Sequence, residues 1–124
     1  MANVFISYAH EDRDVARELA RLLNARGFSC WWDREIAIGA DLRDTIQQEL
    51  QAAEAVVVIW SEHSVSSRWV HGEAGDALDR EKLVPLAITE TRLPLPFGSL
   101  ETALLMDWPQ QESPLQLQKL LQAI

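Results

Sequence analysis

A chain of 124 residues with 48% hydrophobic side chains fits one domain, which at this size buries roughly two thirds of its unfolded surface around a single core. The net charge of −8 and pI near 4.7 argue against nucleic acid as a partner, because counterion release needs clustered Lys and Arg and the sequence has no such cluster. The longest apolar run, Ala55 to Trp60, is far below the roughly 20 residues that cross a bilayer, and Met1-Ala2-Asn3 leads straight into a strand pattern without a signal peptide, so a cytoplasmic protein with no membrane partner is expected.

Val4-Phe5-Ile6-Ser7-Tyr8 is β-branched and aromatic and predicts a first strand. After Ala9-His10-Glu11, Asp12 is placed to cap a helix from Arg13 to Arg26, in which Val15, Ala16, Leu19, Leu22 and Leu23 recur at helical spacing. Gly27 suits the C′ position that ends it. Phe28 to Trp32 predicts a second strand, and Asp33 to Gly39 a loop whose Ile36 and Ile38 suggest a contact surface. Asp41 caps a second predicted helix carrying Leu42, Ile46, Leu50 and Ala53. Ala55 to Trp60 is continuous, apolar and rich in β-branched residues, the pattern of a buried central strand.

A serine-rich loop follows, and the next helix runs from about Trp69 to Glu81, with Gly72 and Gly75 in its interior. Each glycine weakens a helix by about 1 kcal/mol relative to Ala, so close approach of backbone to the sheet or to a ligand is expected there. Leu83 to Ile88 predicts a fourth strand, its Pro85 pointing to a sheet margin or a bulge. Thr89 to Leu100 reads as an irregular connection, Ala103 to Met106 as a short fifth strand, and Ser113-Pro114 as the start of a last helix with Leu117, Leu120, Leu121 and Ile124 on one stripe. That helix stops without a C-cap, so the single domain, residues 1–124, is expected to be excised from, or N-terminal in, a longer protein.

Strands alternating with helices predict an α/β fold of flavodoxin-like form, a three-layer sandwich with a five-stranded parallel sheet of order 2-1-3-4-5. The switch point then lies between the first and third strands, so the loops after Tyr8 and Trp60 face each other across a crevice. Four residues make about one helical turn, which puts Trp69 and Glu73 on one face beside that crevice. His10 and His71 have no partners fixed by spacing and read as surface residues. Ser64, Ser66 and Ser67 read as loop and N-cap residues, and Cys30 as a small core residue. Three scattered histidines and one cysteine give no metal-ligand spacing.

Three blocks resemble the Toll/interleukin-1 receptor (TIR) domain family: Val4 to Tyr8; Trp32-Asp33-Arg34-Glu35-Ile36-Ala37-Ile38-Gly39, matching the family's BB loop; and Ser67-Arg68-Trp69 with Val70-His71-Gly72-Glu73 behind it. The resemblance spans nearly the whole chain. It implies one of two functions. Many bacterial, plant and axonal members cleave the nicotinamide–ribosyl bond of NAD+, and for that branch Trp-Val-His-Gly-Glu supplies the required glutamate as Glu73. NAD+ is then substrate, with no separate cofactor, and Ser7, Tyr8, His10, Trp32, Asp33 and Trp69 border it. The product is ADP-ribose if water attacks or a cyclic isomer if the adenine does. The role implied is bacterial immune defence, activated by homotypic TIR assembly through Arg34, Glu35, Ile36, Ile38 and Gly39. The alternative is a non-catalytic TIR–TIR scaffold acting through that same loop.

Overall fold

The computed structural model describes residues 3–32 and 41–124. In chain order these form β1 (Asn3–Ser7), α1 (Arg13–Ala25), β2 (Ser29–Trp31), α2 (Leu42–Ala52), β3 (Ala55–Trp60), α3 (Arg68–Asp79), β4 (Leu83–Ala87), β5 (Ala103–Leu104) and α4 (Pro114–Ala123). Short 3-10 turns lie at His10–Asp12, Ser64–Ser66 and Phe97–Ser99. Among the described residues the strands make one parallel sheet in the expected order β2-β1-β3-β4-β5. Parallel neighbours require crossovers, and α1, α2 and α3 supply those from β1 through β4, whereas β4 reaches β5 through a connection that holds only the 3-10 turn Phe97–Ser99.

Alternate side chains of each strand enter different layers. Val4, Ile6, Val57 and Ile59 pack with Leu19 and Leu23 of α1 and Leu120 of α4. Phe5, Val56, Val58 and Trp60 pack on the opposite face with Ile46 and Leu50 of α2 and Val70, Ala74 and Ala77 of α3. Every residue of β3 is buried. Each Val or Ile fully withdrawn from water contributes about 1.5–3 kcal/mol, so β3 is the rigid floor from which the site loops spring. Lys82 adds a polar tie. Its Nζ donates to the carbonyls of Leu50 and Ala53 at 2.7 and 2.9 Å, satisfying the C-terminal end of α2 and fixing that helix against the β3–β4 side.

Local chemistry sets the helix ends. Asp41 accepts from the N–H groups of Arg43 and Asp44 at 2.9 and 3.4 Å and starts α2. Ser67 accepts from Val70 N–H at 3.3 Å and starts α3, one residue earlier than the sequence pattern suggested. Gly27 takes φ +93° after α1, the left-handed conformation that glycine adopts without strain.

Four expectations need revision. Asp12 stands at the start of α1 but makes no capping hydrogen bond; its carboxylate is engaged elsewhere, as described below. Pro85 lies in β4, an interior strand by order. Ile88 N–H donates to Trp60 and Val56 N–H to the Lys82 carbonyl, so even-numbered β4 residues face β3 and Pro85 faces the β5 side. Pairing with β5 starts only at Leu86, so the missing proline donor falls where the ladder has not begun. Gly72 and Gly75 do not approach the sheet: among the described residues, a Cβ on either would meet nothing within 4 Å beyond its own helix backbone and chain neighbours. β5 is two residues long, not four.

Candidate active site

The third helix begins immediately after the serine-rich loop because Ser67 caps it, and that start fixes which side chains look inward. Val70, Glu73, Ala74 and Ala77 are its buried residues. Glu73 is the exception in chemistry: a carboxylate only 5% exposed, where the other buried residues of the helix are Val and Ala. It projects toward the end of β1, where the wholly buried Ser7 donates its hydroxyl proton to Glu73 Oε1 at 2.7 Å. Withdrawing a carboxylate from water costs free energy unless its oxygens are hydrogen-bonded, and Ser7 supplies one such bond. The solvated helix-end acid that Glu73 would otherwise be is therefore not what the fold builds.

Two clefts meet at Trp69. The first, about 690 Å3, lies at the C-terminal end of the sheet and is lined by Tyr8, Ala9, His10, Glu11 and Arg13 on the β1 side and by His63, Ser66 and Ser67 on the β3 side. The second, about 560 Å3, lies between α2 and α3, with Glu73, Gly72, Arg68 and Asp76 on one wall and Arg43, Asp44, Gln47 and Leu50 on the other. Trp69, 43% exposed, borders both. Trp69 and Glu73 share one helix face, as their spacing requires. The bare backbone of Gly72 lies beside them on the second cleft.

Each residue expected at the site has a definite place or lies outside the description. Ser7 and Glu73 are brought together. Tyr8 and His10 line the first cleft, and the Tyr8 hydroxyl donates to the Trp32 carbonyl at 2.8 Å. Trp32 borders neither cleft; its ring lies under the Arg13 guanidinium, 5.2 Å from the ring centre. Asp33, Arg34, Glu35, Ile36, Ile38 and Gly39 lie outside the described residues. His71 is half-buried and not free at the surface. Its Nε2 lies 2.7 Å from the Val65 carbonyl oxygen and its ring meets Trp60 and Phe97 edge-on, so it pins the loop before α3.

Sequence reasoning missed a second buried acid. Asp12, 7% exposed, accepts a short hydrogen bond from the Ser61 hydroxyl at the end of β3. Burial holds its carboxyl above the usual carboxylate range, with the Ser61 hydroxyl and then His63 pulling the other way. Asp12 matched a local capping pattern, and that local match concealed a contact 49 residues distant. Arg43 and Arg68 on the second cleft were also missed; each adjoins a residue that had been singled out. Burial pushes the Cys30 thiol up to about 11, which leaves it protonated and unreactive at neutral pH. Among the described residues, no three His, Cys, Asp or Glu side chains are grouped to hold a metal ion, and no helix is long and apolar enough to cross a membrane.

Comparison with known proteins bears on this arrangement. Residues 4–121 match the family model described as the TIR domain. Over 90 residues the chain is 34% identical to a protein of Methanobrevibacter olleyae named probable 2′ cyclic ADP-D-ribose synthase TcpO, covering 68% of this chain and 26% of that protein. Over 81 residues it is 31% identical to the NAD(+) hydrolase TcpA of a Theionarchaea archaeon, covering 64% of this chain and 25% of that one. The chain thus spans about a quarter of the length of these curated relatives. The crystal structure of the TIR domain of the Toll-related receptor TRR-2 from Hydra magnipapillata superposes with a TM-score of 0.82 at 18% identity, covering 98% of this chain and 97% of that one, a likeness of fold. With the sheet order, the family match and these relatives in agreement, the chain belongs to the TIR domain family.

Proposed function

We propose that this domain breaks the nicotinamide–ribosyl bond of NAD+, with Glu73 as the carboxylate that faces the developing charge. One observation carries the reading: Glu73 is buried yet borders an open cleft, oriented there by Ser7. The names of the relatives, one a cyclic ADP-ribose synthase and one an NAD(+) hydrolase, support the same bond as the target.

The chemistry asks little of the protein. A glycosidase acting on an ordinary sugar uses two carboxyl groups, one of them to protonate the leaving oxygen. Here the leaving group is a pyridinium. The electron pair of the breaking C–N bond returns to its nitrogen, and neutral nicotinamide departs without an acid. Positive charge collects on the ribosyl carbon and ring oxygen, where the fixed Glu73 carboxylate stabilises it. Water then bonds to that carbon and releases a proton to solvent, giving ADP-ribose. If a nucleophile of the same molecule bonds there instead, the product is a cyclic isomer. In this reading Trp69 walls the ribose, and the first cleft takes the rest of the dinucleotide. The N-termini of α1 and α3 both open onto that cleft through Arg13 and Ser67, where N–H groups and the helix dipole favour phosphate.

The test is NAD+ consumption with product identification, at high protein concentration with a crowding agent, for wild type and Glu73→Ala side by side. Wild type is expected to consume NAD+, and the variant, folded by circular dichroism, to be slower by about 10³-fold or more. No consumption by wild type, or equal consumption by both, overturns the reading.

A further inference from the structure

Ser61 and Asp12 form a second serine–acid pair that the proposed chemistry does not use. Ser61 is wholly buried just past β3, and Asp12 closes the turn between β1 and α1. The Ser61 hydroxyl donates to Asp12 Oδ2. Its oxygen in turn accepts from the N–H groups of His63 and Ser64 at 3.1 and 3.2 Å, and the buried Ser64 hydroxyl accepts from Ser61 N–H at 2.7 Å. Asp12 is therefore tied to a turn that is itself held rigid.

The tie lies between the two walls of the first cleft. Tyr8, His10 and Arg13 flank Asp12 in sequence, whereas His63, Ser66 and Ser67 follow Ser61. An exposed pair spans the same gap, His63 Nδ1 to Glu11 Oε2 at 3.7 Å, but solvent screening leaves such a pair worth little. The buried bond has a carboxylate acceptor in a medium of low dielectric, where it is stronger than a neutral one. Glu11 and Glu62 add repulsion around Asp12, and His63 adds attraction. Replacing both partners of a buried hydrogen bond by apolar groups of the same shape can be nearly neutral for the fold, so stability alone does not account for the arrangement.

We infer that the Asp12–Ser61 hydrogen bond is a positioning device that sets the separation of the cleft walls and so governs how tightly the part of NAD+ remote from the breaking bond is held. The inference rests on the proposed NAD+-cleaving activity. Glu73 has its own support in Ser7, so loosening the Asp12 tie weakens binding more than it disturbs the reacting centre. Binding of remote substrate parts is what KM reports when the catalytic group stays in place.

The experiment compares Asp12→Ala, Asp12→Asn, Ser61→Ala and the Asp12→Ala/Ser61→Ala double variant in the whole domain, by NAD+ kinetics and by amide hydrogen exchange. Each alanine variant is expected to raise KM about tenfold, with a smaller fall in kcat. Asp12→Asn, whose amide oxygen still accepts the Ser61 proton, recovers most of that loss, and the double variant is no worse than the more affected single variant. Asp12→Ala also speeds exchange at Glu62 to Ser67, the segment that does not carry the substitution. An unchanged KM in both folded single variants, or faster exchange confined to residues 8–13, overturns the inference. Where Asp12→Ala does not fold, Ser61→Ala, which removes only a hydroxyl, decides. If wild type consumes no NAD+, the proposed function fails, and the exchange experiment still judges the tie.

Discussion

Glu73 and Asp12 are two buried acids built to the same plan and set to different tasks. Each accepts a hydroxyl proton from a buried serine just at or past the end of a central strand. The pairs are reciprocal across the crevice. Ser7 of β1 holds an acid that follows β3, and Ser61 after β3 holds an acid that follows β1. What separates them is placement: the two are about equally buried, but Glu73 lines a cleft and Asp12 lines neither. An acid with a serine partner and an open side can meet a substrate. An acid whose serine partner lies on the opposite wall, and which lines no cleft, is placed to hold the two segments together.

Glu73 itself aside, the largest of the expected effects falls on the serine of the active pair. Ser7→Ala removes the donor that orients Glu73, and turnover of NAD+ is expected to fall about tenfold to a hundredfold, the range for a lost hydrogen bond to a charged group. Steady-state kinetics check it. A kcat at the wild-type level would mean that Ser7 does not orient the acid.

A second substitution tests whether the cleft beside Glu73 is where ligand lies. Among the described residues, and apart from its own helix backbone and chain neighbours, an added Cβ at Gly72 or Gly75 meets nothing within 4 Å, so alanine at either should stabilise the helix by about 1 kcal/mol, raising the melting temperature by about 4 °C. Only Gly72 borders the α2–α3 cleft. Gly72→Ala is therefore expected to be more stable and less active, and Gly75→Ala more stable with activity retained. Equal activities would remove the ligand from this part of the cleft.

The smallest effect concerns Asp12 and pH. Burial raises its carboxyl above the ordinary value of 3.8. Between that value and the raised one, the folded chain keeps a proton that the unfolded chain has lost, so the Asp12 contribution to stability is present at low pH and is lost as pH rises through the folded value. Asp12→Asn should remove that slope and leave the domain equally or slightly more stable at neutral pH. Denaturant titrations across the acid range check it, and a steeper slope in the variant would contradict the assignment.

Much of this site was legible because its signals are local or periodic. The apolar run of β3 announced a central strand, the strand–helix alternation gave the sheet order and hence the crevice, and the four-residue step from Trp69 to Glu73 put both on one face. The Ser7–Glu73 bond joins positions 66 residues apart, and only the topology brought them close. Asp12 shows where local reading fails: an acid at a helix start satisfies the capping pattern whether or not it caps, and nothing near it in sequence marks Ser61 as its partner. Pro85 was half legible, because a proline announces a missing donor without saying which neighbour lacks it. The glycines of α3 announced a need for space, and only the helix orientation assigns that space, at Gly72, to a cleft.

The most direct test of the account compares the two acids in one assay: kcat for NAD+ cleavage by Glu73→Gln and by Asp12→Ala, each checked for fold. Glu73→Gln is expected to lose turnover at least about a hundredfold more than Asp12→Ala does, whose loss falls mainly on KM. Equal losses in kcat, or a Glu73→Gln variant that still turns over NAD+ near the wild-type rate, would contradict it.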